Sequence, residues 1–323
     1  MNPIRWGILG CGGIANKFAK SLAVVPGGEL AACASNTPGK AADFAARHGV
    51  SFYCEGYEAL LARDDVDAVY VATTHNFHHD NVLLALDAGK HVLCEKPIGV
   101  SKAQVETMAG SAREKGLFLM EAIWSRFLPS LTHMSDLLKQ GAIGEVRTLR
   151  ADFCFRVKYD PQHRLLNPDL AGGALWDVGI YPVSTASLVF GGEQPVQVEA
   201  VADIGKTGVD EQSAYLFRYA SGALAILSSS VRSHSQNRLE VCSTEGMIVL
   251  PRRFHAAQQM QIFQGRERVE TLDFDFDESL GFQYEIEAAQ EAIRAGQTEC
   301  AYMSLDESLA IAGTMDRILD RFR

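Results

Sequence analysis

Two stretches of this sequence carry residue types that can hold an oxygen and move its proton. The first is Glu95-Lys96-Pro97, which closes the apolar run His91-Val92-Leu93-Cys94. The second is Gly172-Gly173-Ala174-Leu175-Trp176-Asp177-Val178-Gly179-Ile180-Tyr181. Asp177 and Tyr181 are four apart, so on a helix they would share a face. A tyrosine with an ordinary pKa of about 10 is a poor base at neutral pH, but an adjacent ammonium favours the phenolate. Gly172-Gly173 would free the approach to that helix and let its first turn come close to a ligand. Taken singly, each has a plainer reading: Lys96 as a surface lysine beside a loop proline, Tyr181 as a core tyrosine bonded to Asp177.

Such groups need a rigid frame, and the first third of the chain supplies one. Apolar runs at 4–9, 30–35, 68–72, 91–94 and 117–120 alternate with helical patterns over 13–24, 38–48, 76–88 and 102–115, the last with Ser101 as its N-cap. This alternation predicts a parallel sheet with crossover helices. Between the first strand and its helix, Gly10, Gly12 and Ala15 stand in the G-x-G-x-x-G/A register, with Gly13 and Ile14 completing the turn. Gly10 permits the tight turn, Gly12 lets backbone approach a pyrophosphate, and small Ala15 allows close helix–strand packing. The phosphates would then meet the positive end of the helix. A dinucleotide is therefore expected, with Lys96 at the strand edge where ligands bind.

NAD recognition asks for an acidic residue at the end of the second strand. Glu29 stands at its start instead, and the strand ends in Ser35-Asn36-Thr37, with Lys40 following. Hydroxyls, an amide and a lysine can accept a 2′-phosphate, with no carboxylate to repel it, so NADP is favoured over NAD. Thr37 is also placed to cap the next helix, with Pro38 at its first position. In Thr73-Thr74-His75-Asn76-Phe77-His78-His79, residues Thr73, Thr74, His75 and Asn76 would line the nicotinamide side, with His79 approaching from the helix that Asn76 caps. A metal held by His75 with His78 or His79 would lack acidic or cysteine partners, so none is expected.

After residue 123 the pattern changes. Helices over 131–140, 175–190, 284–295 and 305–322 flank strands at 146–157, 196–202, 213–219, 223–229, 238–242 and 247–250. Hairpin signals stand at Ala220-Ser221-Gly222 and Thr244-Glu245-Gly246. The fold class expected is thus α/β: an N-terminal dinucleotide-binding domain over 1–123, then an α+β domain with a large, mostly antiparallel sheet over 124–323. Phe127 and Trp176 read as packing. Phe153 and Phe155 share a strand face, either flooring a sugar pocket or packing on a helix. The acidic run from Asp273 to Glu278 reads as a solvated edge. A formal charge of -10 argues against nucleic acid or an anionic membrane as partner. Seven scattered cysteines without CxxC spacing suit reduced thiols in the cytoplasm. No signal peptide is evident, and no apolar run approaches the roughly 20 residues that span a bilayer.

Together, Gly10-x-Gly12-x-x-Ala15, Glu95-Lys96-Pro97 and Gly172-Gly173-x-Leu175-x-Asp177-x-Gly179-x-Tyr181 resemble the glucose-fructose oxidoreductase / inositol dehydrogenase family, in order and over essentially the whole chain. Tyrosine at 181, where many members carry histidine, is similar to the dimeric dihydrodiol dehydrogenase / NADP-dependent D-xylose 1-dehydrogenase branch. So are Glu121-Ala122-Ile123-Trp124-Ser125-Arg126-Phe127 upstream and Phe190-Gly191-Gly192 downstream. The resemblance implies a Rossmann domain, a cis peptide before Pro97, and a homodimer or homotetramer through the second sheet. It implies that Lys96 holds the reacting oxygen, Tyr181 exchanges its proton and Asp177 orients substrate hydroxyls, with Trp124, Arg126 and Phe153 near the pocket. The corner at Ser35-Asn36-Thr37 departs from NADP-using relatives in lacking their arginine. The expected activity is hydride transfer between NADP and a sugar or dihydrodiol. Two rivals are another sugar or inositol oxidoreductase of the same family and a cofactor-sensing regulator without chemistry, against which the presence of both Lys96 and Tyr181 weighs.

Overall fold

The structure is a computed structural model that describes residues 3–277 and 279–322, so Glu278 of the acidic run lies outside the described residues. The chain forms two compact units. One comprises Met1–Trp124 with a returning segment, Asp277–Ser308; the other comprises Ser125–Phe276 with Leu309–Arg323. The returning segment is the part that a single division at 123 had placed with the second domain.

In the first unit the strands are β1 (Ile4–Leu9), β2 (Gly28–Ser35), β3 (Phe52–Glu55), β4 (Ala68–Val71), β5 (His91–Glu95) and β6 (Leu119–Ala122). They form a wholly parallel sheet in the order β3-β2-β1-β4-β5-β6. Helices α1 (Gly13–Leu22), α2 (Lys40–His48), α3 (Glu58–Leu61), α4 (His78–Asp87) and α5 (Lys102–Lys115) make the crossovers, and α8 (Gln283–Arg294), from the returning segment, packs on α1. Parallel strands are covered on both faces, which explains the uninterrupted burial of β4 and β6. The chain reverses direction across the sheet between β1 and β4, the point at which such sheets bind ligands. Ser101 caps α5 as expected, its hydroxyl accepting the Gln104 N–H at 3.3 Å. Two other caps differ. Helix α2 begins at Lys40 behind Gly39, whose left-handed backbone (φ 76°) forms the cap in place of Thr37. Asn76 lies within a 3₁₀ turn, His75–Phe77, and its side chain accepts the Thr74 hydroxyl at 2.8 Å instead of capping α4.

The second unit contains α6 (Pro129–Lys139), β7 (Val146–Cys154), α7 (Ile180–Val189), β8 (Gln197–Ile204), β9 (Asp210–Arg218), β10 (Leu224–Ser230), β11 (Leu239–Ser243) and β12 (Gly246–Leu250). Two strands not foreseen, β13 (Gln259–Gln264) and β14 (Glu267–Asp273), extend the sheet; β13 alternates over only four residues, Gln259-Met260-Gln261-Ile262, and β14 is an exposed edge with little apolar content. The order is β14-β13-β12-β11-β7-β10-β9-β8, antiparallel except for β7 with β10. Helix α9 (Leu305–Leu319) ends the ordered elements. Alternate residues of β9 are buried on one face, and the other face exposes Val201, Leu216 and Ile226. The single helix expected over 175–190 is in fact a turn of π-helix, Leu175–Gly179, running into α7. Asp177 lies in the π turn and Tyr181 in α7; four residues come close to one revolution in either geometry, so the π turn by itself leaves the shared-face argument standing.

Candidate active site

The residues predicted to hold a cofactor stand at the carboxyl ends of β1, β2, β4 and β5. Gly10 has φ +98°, and a Cβ there would come within 2.9 Å of the Ala72 carbonyl oxygen, so this turn requires glycine. Gly12 and Gly13 differ: a Cβ on either would meet nothing within 4 Å. Gly12 caps α1 without a side-chain bond, and the first turn holds no acidic residue. The helix therefore offers its leading N–H groups and positive end to an anion. Ile14 is exposed and Ala15 fully buried, the latter as close helix–strand packing demands. This loop fits a pyrophosphate.

At the end of β2, buried Ser35 accepts the Thr37 N–H at 3.2 Å, while Asn36, Thr37 and Lys40 are exposed. Cys11, in the glycine turn, is pushed toward its thiolate by a hydrogen bond with Cys33 and, to a smaller extent, by the Lys40 ammonium. The structure also corrects one expectation, because a carboxylate does stand at this corner. Glu55 ends β3 in register with Ser35 and accepts the Gly39 N–H at 3.2 Å. Strand β3 was not read from the sequence, so nothing placed Glu55 there.

At the end of β4, Asn81 donates to the Thr73 hydroxyl at 3.1 Å, His75 is buried, and His79 pairs with Asp80 at 2.7 Å. His78, unassigned from sequence, is fully buried and ties two strand ends together: Nδ1 lies 2.7 Å from the Pro97 carbonyl and Nε2 3.1 Å from that of Thr73. Burial lowers its pKa. At the end of β5, the Lys96–Pro97 peptide is cis. Glu95 accepts the Tyr70 hydroxyl on one carboxylate oxygen and the Lys96 N–H at 3.2 Å on the other. Ile98 N–H is held by Glu121 at 3.0 Å. The cis-proline loop is thus fixed from both sides by buried polar groups. Glu285, from α8, adds a third carboxyl in this region; burial and then the charge of Glu95 push its pKa well up. Trp124 is buried here as well, 5.5 Å from Phe282, with the Lys17 ammonium 4.0 Å over its ring.

In the second unit, Tyr181 is buried within an aromatic group: its ring lies 5.2 Å from Phe153 and 5.7 Å from His255, and Phe153 stacks on His255 at 3.9 Å. His255 had no signal in the sequence beyond its type. Asp177 is buried and accepts from Arg164 at 2.9 Å, and Arg126 is buried in the same unit. The glycine pair has a different reason from the one expected. A Cβ on Gly172 would stand 2.8 Å from the Arg164 and Asn167 carbonyl oxygens, and one on Gly173 (φ +122°) would collide with the Asp210 carboxylate. The chain's own atoms, not a ligand, require these glycines. Among the described residues, no group of three or more His, Cys, Asp or Glu could hold a metal ion.

Two family profiles match the chain: residues 4–123 match an oxidoreductase family with an NAD-binding Rossmann fold, and residues 131–249 match the GFO/IDH/MocA C-terminal domain. The trans-1,2-dihydrobenzene-1,2-diol dehydrogenase of Xenopus tropicalis is 36% identical over 98% of this chain and 97% of its own length. The human protein of that name is 34% identical over 98% and 96%. Among solved structures, a 3-ketoreductase from Actinomadura kijaniata in complex with NADP and TDP-benzene superposes with a TM-score of 0.89 at 32% identity, covering 100% of this chain and 98% of that one. An aldose-aldose oxidoreductase from Caulobacter crescentus gives 0.90 at 28% identity, over 99% and 97%.

Proposed function

Because the chain belongs to the GFO/IDH/MocA oxidoreductase family, we propose that it is an NADP-dependent dehydrogenase of a sugar or a cyclic dihydrodiol, using Lys96 and Tyr181. Gly10, Gly12, Gly13, Ile14 and Ala15 hold the pyrophosphate in this reading. Ser35, Asn36, Thr37 and Lys40 hold the 2′-phosphate. Thr73, Thr74, His75, Asn76 and His79, with Glu95, Lys96 and Pro97, line the nicotinamide end. The bound cofactor supplies the hydride acceptor or donor. Tyr181 takes the proton from the substrate hydroxyl at its phenolic oxygen, or returns it in the reverse direction. The Lys96 ammonium stabilises the charge that develops on that substrate oxygen. Asp177, oriented by Arg164, receives neighbouring substrate hydroxyls, and Phe153, Trp124 and Arg126 serve the substrate's ring. Positioning of the reacting groups contributes much of the rate.

The observation that carries this reading is the placement of Lys96 on the same sheet edge as the Gly10–Gly12 turn, with its loop clamped by Glu95 and His78. Two names among the relatives support the substrate class, a dihydrodiol dehydrogenase and an aldose-aldose oxidoreductase. The apolar outer face of the second sheet, with Val201, Leu216 and Ile226, supports a homodimer or homotetramer. Seven free cysteines support a reducing, cytoplasmic setting, and no described helix is long and apolar enough to cross a membrane. The test is NADPH formation from a panel of aldoses and trans-dihydrodiols, in wild type and Tyr181→Phe. Turnover of at least one substrate, lost in the variant, is expected; cofactor binding with no turnover of any compound would overturn the reading.

A further inference from the structure

The turn that carries Asp177 and leads into Tyr181 rests on a buried polar strip. Asp210, the first residue of β9, is 5% exposed. Its Oδ2 accepts the Leu175 N–H at 2.8 Å, at the start of the π turn, and the Ser213 hydroxyl at 3.3 Å. Ser213 continues to the Tyr215 hydroxyl at 2.6 Å and to Ser229 at 3.2 Å, and Tyr215 meets Ser229 at 2.5 Å. The far end of the π turn sits on the same strip: a Cβ on Gly179 would come within 2.8 Å of the Tyr215 hydroxyl and 3.1 Å of Ser229 Oγ. Both ends of the five-residue turn are therefore seated on one connected hydrogen-bond network. Gly173 leaves room for the Asp210 carboxylate to reach it.

We propose that Asp210 is a positioning residue for Asp177 and Tyr181: its carboxylate caps the π turn, and losing that cap loosens both side chains and lowers turnover. The inference rests on the proposed roles of Asp177 and Tyr181. Several groups set the state of this carboxyl. Burial pushes its pKa up to about 7, opposed by the Leu175 and Ala174 N–H groups and the Ser213 hydroxyl. Tyr215 faces it from its own strand. Glu211, the next residue, is engaged with Arg232 at 2.6 Å. Protonation removes acceptor capacity at the cap, so turnover falls as pH drops through about 7. Global stability moves the other way. The folded pKa lies above the unfolded value near 3.9, so the stability linked to this group is full below about 3.9 and declines as pH rises through the folded value. An acid limb in rate without an acid loss of stability is the signature of positioning.

The experiment measures kcat and KM from pH 5 to 9 with thermal midpoints and NADP dissociation constants, in wild type, Asp210→Asn, Ser213→Ala and Tyr181→Phe. Asp210→Asn should flatten the acid limb at roughly the wild type's low-pH rate, about tenfold below its plateau, with NADP affinity unchanged. Ser213→Ala removes a bond that favours the carboxylate, so its limb should move to higher pH. A limb that stays in place in both variants, or a kcat of Asp210→Asn within twofold of wild type across the range, overturns the inference. Should Asp210→Asn fail to fold, the limb position in Ser213→Ala decides alone. Retained activity in Tyr181→Phe is a separate result and would overturn the underlying reading.

Discussion

The two units hold their functional groups by different means. In the first, the candidates lie in the loops and first helical turns that follow strands' carboxyl ends, and main-chain atoms do much of the holding. The Ala72 carbonyl faces Gly10, the Pro97 and Thr73 carbonyls receive His78, and the Lys96 N–H meets Glu95. In the second, the surroundings come from side chains scattered along the sequence: Arg164 bonds Asp177, Phe153 and His255 flank Tyr181, and Asp210, joined to Tyr215 and Ser229 through Ser213, holds the start of the π turn. Strand ends repeat along the chain and are forgiving of surface change, whereas a platform of long-range contacts can be lost by substitution far from the reacting groups. Substitution at Tyr181 should therefore lower turnover and spare cofactor affinity, and substitution in the glycine turn should do the reverse.

The largest expected separation comes from Tyr181→Phe, which should lower kcat by a factor on the order of 100 to 10,000, the usual reach of a proton-transferring side chain. The NADP dissociation constant, read by fluorescence titration, should stay within twofold; a variant that lost cofactor as well would break the division. Gly10→Ala probes the opposite unit. Its φ of +98° and the nearby Ala72 carbonyl forbid the new methyl without a backbone shift. NADP affinity should fall by about tenfold or more, with kcat at saturating cofactor little changed. Lys40→Ala should weaken NADP by up to about tenfold, as for a charge-assisted phosphate contact, and NAD by less than about twofold. Equal losses would remove Lys40 from the phosphate corner.

A stability measurement sharpens the contrast further. Burial, and then the charge of Glu95, raise the Glu285 pKa in the folded protein above its unfolded value near 4.3. The protonated carboxyl is the form that folding favours. Its contribution is full below about pH 4.3 and is lost as pH rises through the folded value. Glu285→Gln removes that loss, so the variant should match wild type near pH 4 and melt a few degrees higher at pH 8, on a scale of roughly 2–4 °C per kcal/mol. Parallel melting curves at all pH values would show the carboxyl to be solvated or ion-paired. The smallest effect concerns Glu55, whose carboxylate stands at the corner proposed for the 2′-phosphate; Glu55→Gln should improve the NADP to NAD affinity ratio by about two- to threefold.

What could be read in advance follows the same contrast. The parallel sheet, the glycine turn and the Lys96 loop were legible because each is a local pattern: an apolar run, a turn residue, a helix start. The caps on α2 and α4 were misjudged where two local solutions competed, and a left-handed glycine or a 3₁₀ turn prevailed over a Thr or Asn side chain. The π turn at Leu175–Gly179 was invisible because the platform beneath it comes from β9 and β10, 30 or more residues away. His78 and Asp210 escaped for the same reason: a buried histidine between two carbonyls and a carboxylate beneath a helix start have no signature in spacing. Strands β13 and β14 were missed because each holds few apolar residues: β13 alternates only over Gln259-Met260-Gln261-Ile262, and β14 is an exposed edge rich in charge.

The returning segment has a consequence for biosynthesis. Ribosomal elongation at about 5–20 residues per second delivers Ser308 on the order of 10–40 s after Trp124. Throughout that interval the nascent N-terminal half lacks α8 and leaves the flank of α1 uncovered. Chaperones have a window in which to engage it, and a messenger truncated before codon 308 yields a polypeptide whose first unit is never completed. Circularly permuting the gene to begin near Asp277 would place the returning segment ahead of the rest of that unit, separated from it only by Leu309–Arg323, and should shorten the vulnerable period.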